Sequence, residues 1–246
     1  IIGSSGQLGS EFLNIKKSST IKIFSPKSSL LDITNINTLK NFFQNNSIDI
    51  VLNFSGYTDV ENAEDNFASA NKVNNIGVKN LSSICNLYEI FLVHISTDYV
   101  FGNNQKGPFK ENDITSPINV YGYTKDLGEK SIIENSDNAI IIRVASLFGL
   151  YGSNFLKNFI NILLSKRQIN IIYDQLISIT YSYDLVLFIL KFIENYNNYR
   201  NNFNDGVKIL HVINDGFTSW FDVVNVISDE IKLSKPDLKP MKINKI

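Results

Sequence analysis

Short apolar runs alternate with amphipathic stretches through the first half of the chain. IKIF (21–24), IDIVLNF (48–54), IFLVHIS (90–96) and NAIIIRVA (138–145) are apolar almost throughout and predict strands buried in a sheet. Between them, residues 35–46, 65–87 and 121–134 have the length and periodicity of helices. Strands alternating with helices in this way predict right-handed βαβ units and a mostly parallel, doubly wound sheet. The pattern loosens after Ser146. A helix over 154–166, the apolar strip INIIY, a helix near 183–197, a strand in VKILHVI and an amphipathic helix in FTSWFDVVNVISDEI follow, the last with Thr218 or Ser219 near its cap. The Asn-rich run NYNNYRNNFNDG reads as a linker. The expected organisation is a dinucleotide-binding domain over 1–146 and a smaller, mostly substrate-binding lobe over 147–246. Segments near 170–200 and 207–213 are expected to return to the sheet. Two apolar residues before Gly3 are too few for a buried strand, so the sequence is expected to start inside one. KPDLKPMKINKI offers no obvious closing element, and a further C-terminal piece is expected.

Composition narrows the function. A chain of 246 residues with 43% hydrophobic and 19% charged residues has enough apolar material for a sizeable core. A net charge of -1 provides neither a broad basic surface for nucleic acid nor a polybasic membrane anchor. No run is long and apolar enough to span a bilayer, and IIGSSGQLG lacks the basic start and long apolar core of a signal peptide. The single cysteine, Cys85, suits a reducing compartment and lies in an apolar run, so packing is its expected role and the cytoplasm the expected location. His94 and His211 lie inside predicted strands and read as core histidines, and Trp220 reads as packing at a helix start. Two histidines and one cysteine argue against a zinc site.

The chemistry begins with Gly3, Gly6 and Gly9 in GSSGQLG, between a strand remnant and a helix. Gly3 permits a tight turn, Gly6 a close approach to a pyrophosphate, and Gly9 close helix–strand packing. The helix N-terminus adds free N–H groups and a partial positive charge. The strand IKIF ends in Ser-Pro-Lys, with no acid to take a ribose 2′-hydroxyl. Ser25 and Lys27 suit a 2′-phosphate instead, with a solvated loop lysine the equal alternative. Asp32 either holds an adenine amino group or caps a helix, which Thr34 or Asn35 does better. Ser55 and Gly56 close one strand and Ser96 and Thr97 the next, at the carboxyl edge where such sheets bind ligands.

In VYGYTK, Tyr121 stands four residues before Lys125 and Tyr123 two before it. Residues four apart share a helix face, so the spacing selects Tyr121 as the partner of the lysine. A free phenol has a pKa near ~10, and a neighbouring ammonium favours its ionised form. A tyrosine tuned in this way can protonate the oxygen formed when hydride reaches a carbonyl carbon.

GSSGQLG, LDIT, GYTDVENAE, VHISTDYVF, GPFKENDITSPINVYGYTK, GEK and IIIRVASLFG, in this order, resemble the extended short-chain dehydrogenases/reductases with a Rossmann fold. Within them the likeness is to the dTDP-4-dehydrorhamnose reductase branch. It runs from residue 1 to about 160, returns in ILHVINDGFTSW, and is most specific over 94–130. The resemblance implies Thr97, Tyr121 and Lys125 as the catalytic set, with Lys125 also gripping the nicotinamide ribose. It places Gly6, Gln7 and Leu8 on the pyrophosphate, Asp32 and Ile33 by the adenine, and Ser55, Gly56 and Tyr57 along the cofactor. Thr97, Asp98, Tyr121, Leu147 and Asn154 are expected to face the substrate. The implied reaction is reduction of the 4-keto group of a nucleotide-linked 6-deoxyhexose, dTDP-4-dehydro-L-rhamnose to dTDP-L-rhamnose foremost. NADPH or NADH is the expected reductant, NADPH favoured, and the enzyme is a possible homodimer. Some members carry a metal-linked acid where Glu11 stands, but no metal is expected. Leu147 replaces a usual tryptophan, and Ile177 and Ile179 in DQLISIT replace a usual Gly and Pro, which leaves the identity of the sugar nucleotide open. Two alternatives stand beside this reading. One is another nucleotide-sugar reductase or epimerase, the other a non-catalytic NADP-binding subunit like the regulatory subunit of methionine adenosyltransferase.

Overall fold

The computed structural model describes residues 1–18, 20–102, 107–165, 168–199, 206–235 and 242–245. Helix α1 (Gln7–Asn14) follows the glycine turn, and α2 (Ile36–Asn45) starts where the Asn35 side chain accepts the Asn37 N–H. Strand β1 (Ile50–Asn53) leads into α3 (Val60–Asp65), capped by Asp59, then α4 (Phe67–Asn71), a π-helical turn (Lys72–Gly77) and α5 (Val78–Leu87). Strand β2 (Phe91–Thr97) ends in a 3₁₀ turn (Asp98–Val100), and α6 (Val120–Asn135) begins where the Asn119 side chain accepts the Gly122 N–H. Strands β3 (Ala139–Val144) and β4 (Leu147–Phe148) precede α7 (Phe155–Ser165), and β5 (Gln168–Ile171), β6 (Leu176–Ile177) and β7 (Thr180–Tyr181) precede α8 (Ser182–Glu194). A short α9 (Tyr196–Tyr199), β8 (Lys208–His211), β9 (Thr218–Ser219), α10 (Trp220–Ser234) and β10 (Lys242–Lys245) complete the order.

The central sheet runs β1-β2-β3-β8 with every pair parallel, and Ile2 adds a parallel bridge to Asn53 outside β1. Because successive strand residues point to opposite faces, the buried runs feed two cores. Val51, Leu92 and Ile141 meet Leu39, Phe43, Val78, Leu81 and Ile84 on one face. Leu52, Phe91, Val93, Ile140 and Ile142 meet Phe12 of α1 and Leu185, Val186 and Ile189 of α8 on the other. Helices on both faces of a parallel sheet make the doubly wound arrangement. A third core gathers Leu163, Ile171, Val224 and Ile227 of α7, β5 and α10, with Trp220 packed against it.

Three elements differ from the sequence pattern. Residues 21–24 form no strand: the Phe24 carbonyl takes one hydrogen bond, 2.6 Å from the Ile1 nitrogen, where a strand needs a ladder of them. Ile21 and Ile23 still pack on the α1–α8 core, which accounts for their apolar character. The helix expected over 65–87 starts earlier, at Val60, breaks at Asn66 and widens into the π turn. The final residues do supply an element, since Lys242–Lys245 pairs in parallel with β5. Half of the expected linker (200–205) and the PDLKPM stretch (236–241) lie outside the described residues.

Candidate active site

The glycine turn is built by close approach. Gly3 has φ +78°, and a Cβ there would sit 2.6 Å from the Ser55 nitrogen. A Cβ on Gly9 would sit 2.4 Å from the Gly3 carbonyl oxygen, so both positions require glycine. Gly6 precedes α1 without a side-chain cap, which leaves the first N–H groups of the helix directed past the turn. Gln7 Nε2 is buried, and among the described residues it is the one side-chain polar atom so placed with no hydrogen-bond partner. An unsatisfied donor beside free helix N–H groups fits an anionic ligand such as a pyrophosphate. Leu8 instead turns its side chain into the core, leaving its backbone for any such contact.

At the end of β1, the Ser55 hydroxyl donates to Asn53 Oδ1 at 2.6 Å. Asn74, in the π turn, accepts from the Tyr57 N–H at 2.8 Å and donates to the Tyr57 carbonyl at 3.0 Å and to Thr124 Oγ1 at 3.1 Å. This buried amide fixes the Gly56–Tyr57 loop to α6. The sequence carried its signal, a polar residue on the buried stripe of Ala70, Gly77, Val78 and Leu81. Ser25 and Lys27 lie exposed in the loop after residue 24. Asp32 accepts the Thr34 N–H at 2.9 Å, a local turn, while Asn35 caps α2. The Ile33 side chain is buried against Gly77, so only its backbone is available to a cofactor.

Helix α6 lies unusually close to its neighbours. A Cβ on Gly122 would sit 2.1 Å from the Tyr99 carbonyl oxygen, and one on Gly128 2.2 Å from that of Asn74. These glycines bring Tyr121 to the end of β2, where its ring meets Tyr99 edge-on at 5.6 Å. Burial raises the Tyr121 phenol to about 12; a hydrogen bond with the Thr97 side chain lowers it, and Asp98 and Tyr99 raise it further. Asp98 accepts from the Thr97 hydroxyl at 3.1 Å, and burial lifts its carboxyl to about 6. Thr97, Asp98 and Tyr121 thus form one cluster. Tyr123 points away, 46% exposed and stacked on Phe67.

Lys125 behaves differently from the sequence expectation. It shares the buried face of α6 with Tyr121, but its Nζ lies 2.7 Å from the Ile95 carbonyl oxygen and 3.2 Å from His94 Nε2. The lysine is not among the groups that shift the phenol, whose pKa moves up rather than down. Burial lowers Lys125 itself to about 8, against a raising influence of Glu129. For a proton donor the result serves well, because the phenol stays protonated at neutral pH.

Ser96, Leu147 and Asn154 are placed away from this cluster. The Ser96 hydroxyl donates to Glu129, whose carboxylate takes three short contacts from Arg143, at 3.0, 3.2 and 2.6 Å. Leu147 packs on the α1–α8 core. Asn154 is buried and caps α7, bonded to the Lys157 N–H at 3.2 Å and the Gly149 carbonyl at 2.9 Å. Glu11 accepts from Ser182 at 2.8 Å, and no group of three or more metal-ligating side chains occurs among the described residues.

A phosphate-ready turn and a hydroxyl–phenol cluster at the carboxyl edge of a parallel sheet define a dinucleotide-dependent oxidoreductase. The family described as RmlD substrate binding domain matches residues 1–246, and the chain belongs to it. It is 31% identical to the dTDP-4-dehydrorhamnose reductase of Aggregatibacter actinomycetemcomitans over 96% of its own length and 79% of that protein. It also resembles a crystal structure of the dTDP-4-dehydrorhamnose reductase of Bacillus anthracis in complex with NADP, with TM-score 0.86 and 31% identity, covering 100% of this chain and 82% of that one. An orthologue from Clostridium acetobutylicum aligns with TM-score 0.88 at 29% identity, over 100% of this chain and 82% of its own. The chain is therefore a nucleotide-sugar reductase that uses NAD(P)H.

Proposed function

We propose that this protein reduces the 4-keto group of a dTDP-linked 6-deoxyhexose, dTDP-4-dehydro-L-rhamnose foremost, with NADPH. The observation that carries the proposal is the Tyr121 phenol hydrogen-bonded to Thr97, kept protonated by burial, with Lys125 on the same face of α6. NADPH supplies a hydride to the carbonyl carbon. The Gly3–Gly9 turn and Gln7 would hold its pyrophosphate, and the Ser55–Tyr57 loop would run beside it. Lys27 and Ser25, exposed in the loop after residue 24, suit a 2′-phosphate. Thr97 would orient the keto oxygen and Tyr121 would deliver the proton.

General acid catalysis contributes about 10²- to 10⁴-fold. Tyr121→Phe should therefore lose turnover on that scale while still binding NADPH, and Tyr123→Phe should stay near the unmodified rate. The assay follows NADPH absorbance with dTDP-4-dehydro-L-rhamnose and a matched UDP-4-keto sugar. Equal losses in both variants, or no NADPH consumption with either sugar, would remove the assignment.

A further inference from the structure

The environment of Lys125 rests on a chain of hydrogen bonds whose direction can be worked out. The Ser55 backbone N–H, which can only donate, points to Asn53 Oδ1 at 3.2 Å, and the Ser55 hydroxyl reaches the same oxygen. That fixes the amide orientation, so Asn53 Nδ2 is the atom 2.9 Å from His94 Nδ1. Asn53 and His94 are direct neighbours in the parallel β1–β2 register. His94 Nδ1 must then accept, and a neutral imidazole carries its proton on Nε2. Nε2 faces Lys125 Nζ at 3.2 Å. An N–H aimed at Nζ bonds an amine and repels an ammonium.

We propose that His94 is a positioning residue for Lys125: held as the Nε2–H tautomer by Asn53, it docks the neutral amine on the edge of β2 and disfavours the ammonium there. The inference rests on the reductase reading above. Burial holds His94 well below its ordinary range, and the Lys125 charge adds to that. The other groups around the pair are Glu129, one turn along α6 and neutralised by Arg143 of β3, and apolar Ile141, the β3 neighbour of His94. A half-buried Ser55 closes the chain at the candidate cofactor loop.

With only two histidines, nitrogen NMR of the labelled full chain reads the tautomer directly, His211→Gln identifying the other signal. His94 should show protonated Nε2 and bare Nδ1, without titrating from about pH 5 to about pH 9. The Lys125 ε-carbon, assigned through its loss in Lys125→Ala, should titrate near about 8. Asn53→Asp replaces the donor with an acceptor, so the ring should flip to Nδ1–H and the lysine midpoint should rise by about one unit or more. An Nδ1–H tautomer in the unmodified protein, or a lysine midpoint near ~10.4, overturns the proposal even if Asn53→Asp fails to fold. Tautomer and midpoint as expected, with no keto sugar reduced, would leave the His94–Lys125 pairing intact and refute the reductase reading instead.

Discussion

Asp98 sits between the Thr97 hydroxyl and the backbone of its own turn, and its carboxyl is raised to about 6 because burial penalises the charge more than those hydrogen bonds favour it. A carboxyl raised on folding stabilises the fold fully below its ordinary value near ~3.9 and loses that contribution as pH rises through the folded value. Charging Asp98 at neutral pH should thus cost on the order of 3 kcal/mol. Asp98→Asn, which mimics the neutral acid, should gain about that much stability near about pH 8 and nothing near about pH 4. Denaturant midpoints at the two values test this, and an equal gain at both would assign the effect to something other than charge. The same residues show what a sequence can and cannot carry. Tyr121 was legible from its four-residue spacing to Lys125, but the direction of the Lys125 side chain was not. That direction depends on His94 and Asn53, which adjoin only through strand pairing across 41 residues.

The helix that presents Tyr121 owes its position to glycines. Gly122 leaves no room for a methyl group against the Tyr99 carbonyl, so Gly122→Ala must push α6 off the Asp98–Val100 turn. Overpacking of this sort costs about 1–3 kcal/mol. Displacing a reacting group by an ångström costs roughly 10²-fold in rate. The variant should show both losses, and stability lost with unchanged kcat would mean that the turn moves along with the helix. Within the sheet, three of the four predicted strands (48–54, 90–96 and 138–145) formed because each is apolar on both faces and paired on at least one side. Residues 21–24 have the same composition and no ladder. Apolar character identifies burial; pairing decides whether it becomes a strand. The π turn was equally hidden, and its Asn74 amide bonds a loop distant in sequence, at Tyr57.

At the scale of the whole molecule, the question is how the third core is tied to the central sheet. The β4–β7 pair sets Phe148 beside Tyr181, whose rings stack at 5.3 Å. Phe148 also meets Phe155 at 5.8 Å, and Phe155 meets Trp220 at 5.1 Å. A row of rings therefore runs from the start of α8, packed on the sheet, to α10 in the third core. Trp220 is the only tryptophan, so its fluorescence reports on the third core while far-UV circular dichroism reports on all the helices. If the row couples the cores, both signals should follow one denaturant transition in the unmodified protein. Phe148→Ala removes the ring common to both sides, and truncating a buried phenylalanine costs about 3–5 kcal/mol, less where it is half-buried. The tryptophan transition should then move to lower denaturant and separate from the dichroism curve. Curves already separate in the unmodified protein, or still superimposed in the variant, would show that the cores are joined by some other path.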